Sequence, residues 1–240
     1  NMQVSRKYPV SLVHFVTNRC NARCSFCFID FDNPETFKNE LTVKEIAKIT
    51  KNLGPYLMNV NLTGGEPFAR KDILDIARCY FENTNVESIT MPSNGSLTNR
   101  MVRFAKSIKK EFPKKKILIS ISIDDLPKNH AKIRKIPRLF EDAMKSYHAL
   151  KNISKNVMVN IAITCSHENY KNVPKLYNEL KNSYGVKSIS ANIVRDEGVY
   201  KIPKNKKKDI LKAYTYLTEK ILEDLKKNDL QNYNIKTLQG

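Results

Sequence analysis

Four short segments of this chain are apolar on one face and polar on the other, and that alternation constrains its fold more than any other feature. In residues 117–124 an extended backbone puts Ile117, Ile119, Ile121 and Ile123 on one side, and Ser120, Ser122 and Asp124 on the other. In residues 157–164, Val157, Val159, Ile161 and Ile163 oppose Asn160, Ala162 and Thr164. In residues 188–194, Ile189, Ala191 and Ile193 oppose Ser188, Ser190 and Asn192, and in residues 59–63, Val60 and Leu62 oppose Asn59, Asn61 and Thr63. Strands at 13–17 and 88–92 complete a set of six.

Each strand is followed by a stretch with helical apolar spacing, at about 43–53, 73–81, 101–112, 139–150, 170–180 and 209–225. Thr42 and Glu45 form a capping-box pattern at the first of these. Six β/α units joined by right-handed crossovers predict a parallel sheet with helices outside it. A doubly wound sheet is covered on both faces and needs strands apolar on both, which these are not. The expected fold is therefore α/β, a partial (β/α)6 TIM-like barrel with parallel strands curved around a polar open cavity. An antiparallel sheet with one solvated face is the alternative, and the intervening helices speak against it.

With 240 residues and 41% hydrophobic content the chain can bury a sizeable core, and it is read as a single domain over 1–240, its folded part about 10–228. No run of about 18 apolar residues occurs, and the first residues lack a secretory apolar region, so a cytoplasmic location is expected. Asn1 precedes Met2 like the remnant of a tag, and the sequence leaves open whether the native chain extends beyond Gly240. The net charge of +18 permits anionic partners. The excess is scattered lysine, with local clusters only at 114–116 and 204–208 and no nucleic-acid motif, so specific nucleic-acid binding is not expected.

Three of the five cysteines, Cys20, Cys24 and Cys27, lie within eight residues at C-x3-C-x2-C spacing, on the loop after the first strand. Barrel enzymes place their chemistry at that end of the strands. In a reducing compartment the cluster reads as metal ligands. Three thiolates at this spacing suit three corners of a four-iron cluster whose fourth iron stays open. Zinc is the competing occupant; it needs a fourth ligand, and His14 is the nearest histidine. Cys79, on a helix, is read as core, and Cys165, just past the fifth strand, as structural.

The segment CNARCSFC, with Phe26 at its aromatic position, resembles the signature of the radical S-adenosylmethionine (radical SAM) superfamily. Gly64-Gly65-Glu66-Pro67, after the second strand, resembles that family's GGEP element, which holds the amino end of S-adenosylmethionine. The resemblance extends over roughly residues 13–196 and implies a [4Fe–4S] cluster bound by Cys20, Cys24 and Cys27. It also implies a cofactor site containing Gly64, Gly65, Glu66, Pro67, Asn94, Ser122, Asp124 and Arg134, with Phe26 and Phe28 near adenine. Residues 130–134, HAKIR, resemble an H-D-x-I-R-G stretch of the branch containing molybdenum-cofactor-synthesis and SPASM-type enzymes. Asp125, Ala131 and Lys135 depart from that branch, and a cysteine-rich auxiliary-cluster extension is missing. Thr164, Asn192 and Arg195, at the ends of the last two strands, are the candidate substrate contacts.

The function so implied is reductive cleavage of S-adenosylmethionine to a 5′-deoxyadenosyl radical, which abstracts hydrogen from an unidentified substrate. Electrons would come from a donor such as flavodoxin or ferredoxin. No general acid or base is assigned. Two alternatives remain at this point: a non-catalytic zinc- or cluster-binding protein with a basic partner- or nucleic-acid-binding surface, and a relative that keeps the cluster without turnover.

Overall fold

In the computed structural model, which describes residues 8–227, alternation along each segment becomes register between strands. The strands are β1 (Ser11–Thr17), β2 (Asn59–Gly64), β3 (Ser88–Ser93), β4 (Lys116–Ser122), β5 (Val157–Cys165) and β6 (Ile189–Ile193). They form one sheet in the order β1-β2-β3-β4-β5-β6, and every neighbouring pair is parallel. β1 and β6 do not pair, so the sheet is open. The helices are α1 (Val43–Thr50), α2 (Ile73–Asn83), α3 (Thr98–Glu111), α4 (Pro127–Arg134), α5 (Leu139–Leu150), α6 (Val173–Asn182) and α7 (Lys207–Lys227). The tails expected at both ends lie outside the described residues. Among the described residues no helix is long and apolar enough to cross a membrane.

The core lies between the outer face of the sheet and the helices. Ile117, Ile119, Ile121 and Ile123 are fully buried there beside Ile76 of α2, Ile108 of α3 and Leu217 of α7. Burying each such side chain contributes roughly 1.5–3 kcal/mol, so the apolar face of the strands fixes which side the helices cover. The Thr42–Glu45 capping box forms as expected, with Thr42 Oγ1 accepting from Glu45 N at 3.3 Å. Cys79 and Cys165 are both buried in the core.

α4 has no counterpart among the helices expected from periodicity, and the helix after β5 starts at Val173 instead of 170. α4 is short and polar, burying only His130, Ile133 and Arg134, so it carries no apolar stripe to detect. Pro127 in its first turn supplies the helical φ that the composition does not favour. Before α6, residues 166–172 are taken up by a turn around buried Asn169. Its Oδ1 accepts from Ser166 N at 2.7 Å, and its Nδ2 donates to Asp124 O at 2.6 Å and Thr164 O at 2.8 Å.

Lys135 closes α4 in the left-handed region, at φ 54°. Glycine accepts that conformation without the crowding a Cβ brings, and the resembled motif has glycine there. Lys135→Gly is expected to raise stability by about 1 kcal/mol, read as a higher urea midpoint at unchanged slope; a lower midpoint would show that the Lys135 side chain makes a compensating contact.

The inner face is polar toward the C-terminal ends of the strands, through Ser122, Thr164 and Asn192, but it is not polar throughout. Val13 is 57%, Phe15 45% and Met158 38% exposed, and register places Val13 and Met158 in one row with Asn61, Thr90 and Leu118. Phe28, from the loop after β1, meets the Phe15 ring edge-on at 6.0 Å and lies under the Arg195 guanidinium at 5.5 Å. A Cβ on Gly198 would stand 2.4 Å from Phe28 O, so the loop after β6 touches the cysteine-bearing loop here. The gap between β1 and β6 is thus narrowed at its upper end by backbone contact.

Candidate metal and cofactor site

The loops at the C-terminal ends of β1, β2, β3 and β4 converge on the cysteine segment. Gly65 N donates to Thr17 O at 2.7 Å and Glu66 N to Arg19 O at 2.9 Å, which seats the GGEP turn against the residues leading into Cys20. Both glycines are required by this approach. A Cβ on Gly64, at φ +136°, would lie 1.9 Å from Thr17 O, and one on Gly65 would lie 2.3 Å from Arg19 O. On the other side Arg23 N donates to Arg134 O at 3.2 Å and Ser25 N to Ile133 O at 3.0 Å, tying the loop to the end of α4. Asn94 Nδ2 donates to Asn21 Oδ1 at 2.8 Å and lies 4.0 Å from Cys20 Sγ.

Glu66 is fully buried, and both its oxygens are used by the protein. Oε1 accepts from Phe68 N at 3.1 Å and Ser93 Oγ at 2.9 Å, and Oε2 from Asn94 N at 2.7 Å. Burial pushes its pKa up, against the pull of these three donors. The carboxylate therefore holds the GGEP turn and the loop after β3 in place. In Glu66→Gln an NH2 replaces an acceptor among donors, with an expected loss of about 1–3 kcal/mol. Chemical denaturation checks this, and unchanged stability would show that the clamp is not needed.

Asp124 and Arg134 form a second buried unit. Arg134 Nε donates to Asp124 Oδ2 at 2.7 Å, and Asp124 Oδ1 accepts from Thr164 N at 3.1 Å. Burial works against the Arg134 charge, but Asp124 and then Cys24 outweigh it and hold its pKa above the ordinary value. His130 Nδ1 accepts from Asp124 N at 3.1 Å, and burial together with Arg134 lowers the His130 pKa to about 3, so the ring is neutral. Asp125, where the resembled branch has glycine, accepts from Leu126 N at 2.7 Å and Asn172 Nδ2 at 3.0 Å and so joins α4 to the start of α6.

Cys20, Cys24 and Cys27 are free thiols, each half-buried. Burial is the main cause that raises their pKa values, Cys20 to about 11, and neighbouring thiols add to the rise at Cys20 and Cys24. Metal binding must therefore displace their protons. Among the described residues no three His, Cys, Asp or Glu side chains are grouped to hold a metal ion. A single zinc needs ligands converging on one point, whereas a four-iron cluster takes one thiolate per iron and spreads them. His14, the histidine nearest in sequence, faces the helices instead, with its Nδ1 2.9 Å from Tyr80 Oη. Three thiols on one loop, beside a buried Arg and two glycine-dependent backbone approaches, are a donor set that could hold three irons of a four-iron cluster.

The structure brings Gly64 to Pro67, Asn94, Asp124 and Arg134 around the cysteine loop. Ser122 lies on the inner face one row below Asp124, paired in register with Ala162. Phe26 and Phe28 have different surroundings, since Phe26 lies 6.0 Å from the Arg134 guanidinium while Phe28 faces Phe15. Thr164 and Asn192 are register partners at the inner rim, and exposed Arg195 pairs with Glu197 at 2.9 Å. Ser93 and Asn169 join the site although sequence reasoning does not single them out. Asn169 has a signal, a Ser-x-x-Asn run just ahead of a helix, which is a turn pattern; Ser93 has none beyond its place beside Asn94.

The chain matches the family model described as Radical SAM superfamily over residues 15–180. It is 25% identical over 182 residues to a protein of Methanosarcina barkeri named Fe-coproporphyrin III synthase, covering 75% of this chain and 43% of that one. It is 34% identical over 116 residues to a GTP 3′,8-cyclase of Cronobacter sakazakii, covering 46% of this chain and 33% of that one. The chain thus spans less than half the length of these curated relatives. Among solved structures it resembles native anSMEcpe with bound AdoMet, with a TM-score of 0.69, 18% identity and coverage of 91% of this chain and 62% of that one. Streptococcus suis SuiB bound to S-adenosylmethionine gives a TM-score of 0.65 at 20% identity, covering 90% and 48%.

Proposed function

Because this chain belongs to the radical SAM superfamily, we propose that it is a radical SAM enzyme in which Cys20, Cys24 and Cys27 hold three irons of the family's [4Fe–4S] cluster and the surrounding loops hold S-adenosylmethionine. The observation that carries this reading is the docking of the GGEP turn on the residues that lead into Cys20. When bound, the reduced cluster supplies one electron that breaks the carbon-sulfur bond of S-adenosylmethionine, giving methionine and a 5′-deoxyadenosyl radical that abstracts a substrate hydrogen.

The chain's own residues bind and orient. Gly64 and Gly65 present backbone where no side chain fits, so the amino end of the cofactor can approach the open iron. Glu66 and Pro67 act through the shape of that turn, because the Glu66 carboxylate is already engaged. Arg134, fixed by Asp124, offers its remaining N–H groups to a carboxylate, and Asn94 and Ser122 offer polar groups to the ribose and methionine portions. Phe26 supplies an apolar surface for adenine beside Arg134, and Phe28 one nearer the opening. Thr164, Asn192 and Arg195 face the substrate side. A one-electron donor such as flavodoxin or ferredoxin and a reducing compartment such as the cytoplasm complete the reading.

The test is 5′-deoxyadenosine formation by the anaerobically reconstituted protein with S-adenosylmethionine and a strong reductant, with iron and zinc measured on the same sample. Product that depends on all three cysteines supports the reading. Bound zinc without reconstitutable iron, or iron without product, overturns it. The relatives' names span Fe-coproporphyrin III and GTP, so they do not converge on one substrate.

A further inference from the structure

Two charged side chains that have no part in the cofactor site touch the cysteine loop. Arg23 Nη1 donates to Cys20 O at 2.7 Å and to Ala22 O at 2.8 Å, which closes the turn between the first two cysteines. Its guanidinium lies 4.2 Å from the centroid of the Phe31 ring, and Phe31 stacks on Phe37 with their centroids 6.2 Å apart. Phe37 ends a short 3-10 helix, Pro34–Phe37, which Asn18 holds just past β1, its Nδ2 donating to Thr36 O at 2.7 Å. The segment after Cys27 thus folds back and keeps Arg23 between the Phe31 ring and the loop's own carbonyls. Between the second and third cysteines, Ser25 Oγ donates to the carboxylate of Glu168, from the turn after β5.

Neither charge is cancelled by an ion pair. Among the described residues no carboxylate pairs with Arg23, since Glu40 is taken by Arg19 at 3.4 Å and Glu35 by Lys38, and no cation pairs with Glu168. The Arg23 charge reaches a ligand: burial raises the pKa of Cys27, and the backbone of Ile29, then Arg134 and Arg23, work against that rise. The potential of an iron–sulfur cluster depends on the charges and hydrogen bonds around it. Reduction adds one negative charge, so a nearby cation favours the reduced form and a nearby anion the oxidised one.

We propose that Arg23 and Glu168 set the reduction potential of the cluster from the protein side, Arg23 raising it and Glu168 lowering it. Both are positioning residues, since each acts through the cysteine loop it touches. The step they govern is uptake of one electron from an external low-potential donor, in which no bond forms or breaks. The inference rests on the cluster assignment of the enzyme reading above.

The test is an anaerobic titration of the reconstituted full chain with titanium(III) citrate, without S-adenosylmethionine, following the paramagnetic resonance of the reduced cluster. At the parent's midpoint the ratio of reduced to oxidised cluster is expected to fall roughly threefold in Arg23→Gln and to rise by about as much in Glu168→Gln. Arg23→Lys, which keeps the charge and a donor for the carbonyls, should stay with the parent. Glu168→Gln keeps an acceptor for Ser25, so its shift reports charge and not a lost contact. Iron analysis and circular dichroism establish that each variant is loaded and folded. Shifts in the same direction, no shift, or an Arg23→Lys shift as large as that of Arg23→Gln overturns the proposal. If Arg23→Gln does not load, Glu168→Gln decides alone: a raised ratio supports the proposal and an unchanged one overturns it. A parent that takes up no cluster overturns both readings. 5′-Deoxyadenosine formed with unshifted potentials leaves the enzyme reading standing and removes this one, whereas opposite shifts without product do the reverse.

Discussion

Cys24→Ala is expected to remain folded, to lose most of the iron that reconstitution delivers to the parent protein, and to form 5′-deoxyadenosine only at background. Cys24 is half-buried on a loop outside the apolar core. Its contribution to the loop's own structure is a backbone one, Cys27 N donating to Cys24 O at 3.1 Å, and alanine keeps that bond. What is lost is one of the three thiols proposed as ligands, and among the described residues the remaining cysteines, Cys79 and Cys165, are buried in the core while His14 is turned to Tyr80. Iron analysis and the visible absorbance of the bound cluster read the outcome, and circular dichroism reads the fold. Full iron in the variant would remove Cys24 from the ligand set.

Asp124→Asn is expected to have the largest effect on stability, a loss of about 3–5 kcal/mol, because it leaves the buried Arg134 guanidinium without its counter-charge. Iron binding should survive, since the cysteines are untouched, while S-adenosylmethionine affinity measured by calorimetry should fall with the displacement of Arg134. The link from Arg134 O to Arg23 N is a backbone bond that the substitution leaves in place, which keeps the cysteine loop tied to α4. The double variant Asp124→Asn with Arg134→Met removes both charges. It should recover part of the stability without recovering cofactor affinity. If Asp124→Asn unfolds at the parent's denaturant concentration, the pair is not the support described here.

The strands are legible in the sequence because period-two alternation is written directly into residues such as 117–123, and every polar position named on β4, β5 and β6 lies on the inner face. The cysteine and GGEP segments are legible because their chemistry is local in sequence. Other parts depend on contacts between distant residues. α4 has too few apolar positions to announce itself. The Glu66 clamp joins the ends of β2 and β3, Asn169 joins the ends of β4 and β5, and Phe28 reaches Phe15 and Gly198 across the open side. The apolar lower part of the cavity escapes for a different reason: Val13 and Phe15 look like core residues in sequence, whereas Met158 and Leu118 share the face of Asn160 and Ser120 but carry no polar group to mark it.

The open strand order divides the molecule's labour along the chain. Residues proposed to hold the metal and the cofactor come from the first four strand ends and α4, whereas the candidate substrate contacts Thr164, Asn192 and Arg195 come from the last two strands and the loop beyond. Because β6 has a free edge, exchanges on it disturb few partners of the earlier strands. A lineage of such proteins can therefore acquire new specificities by altering its last third while inheriting the same radical-generating apparatus unchanged.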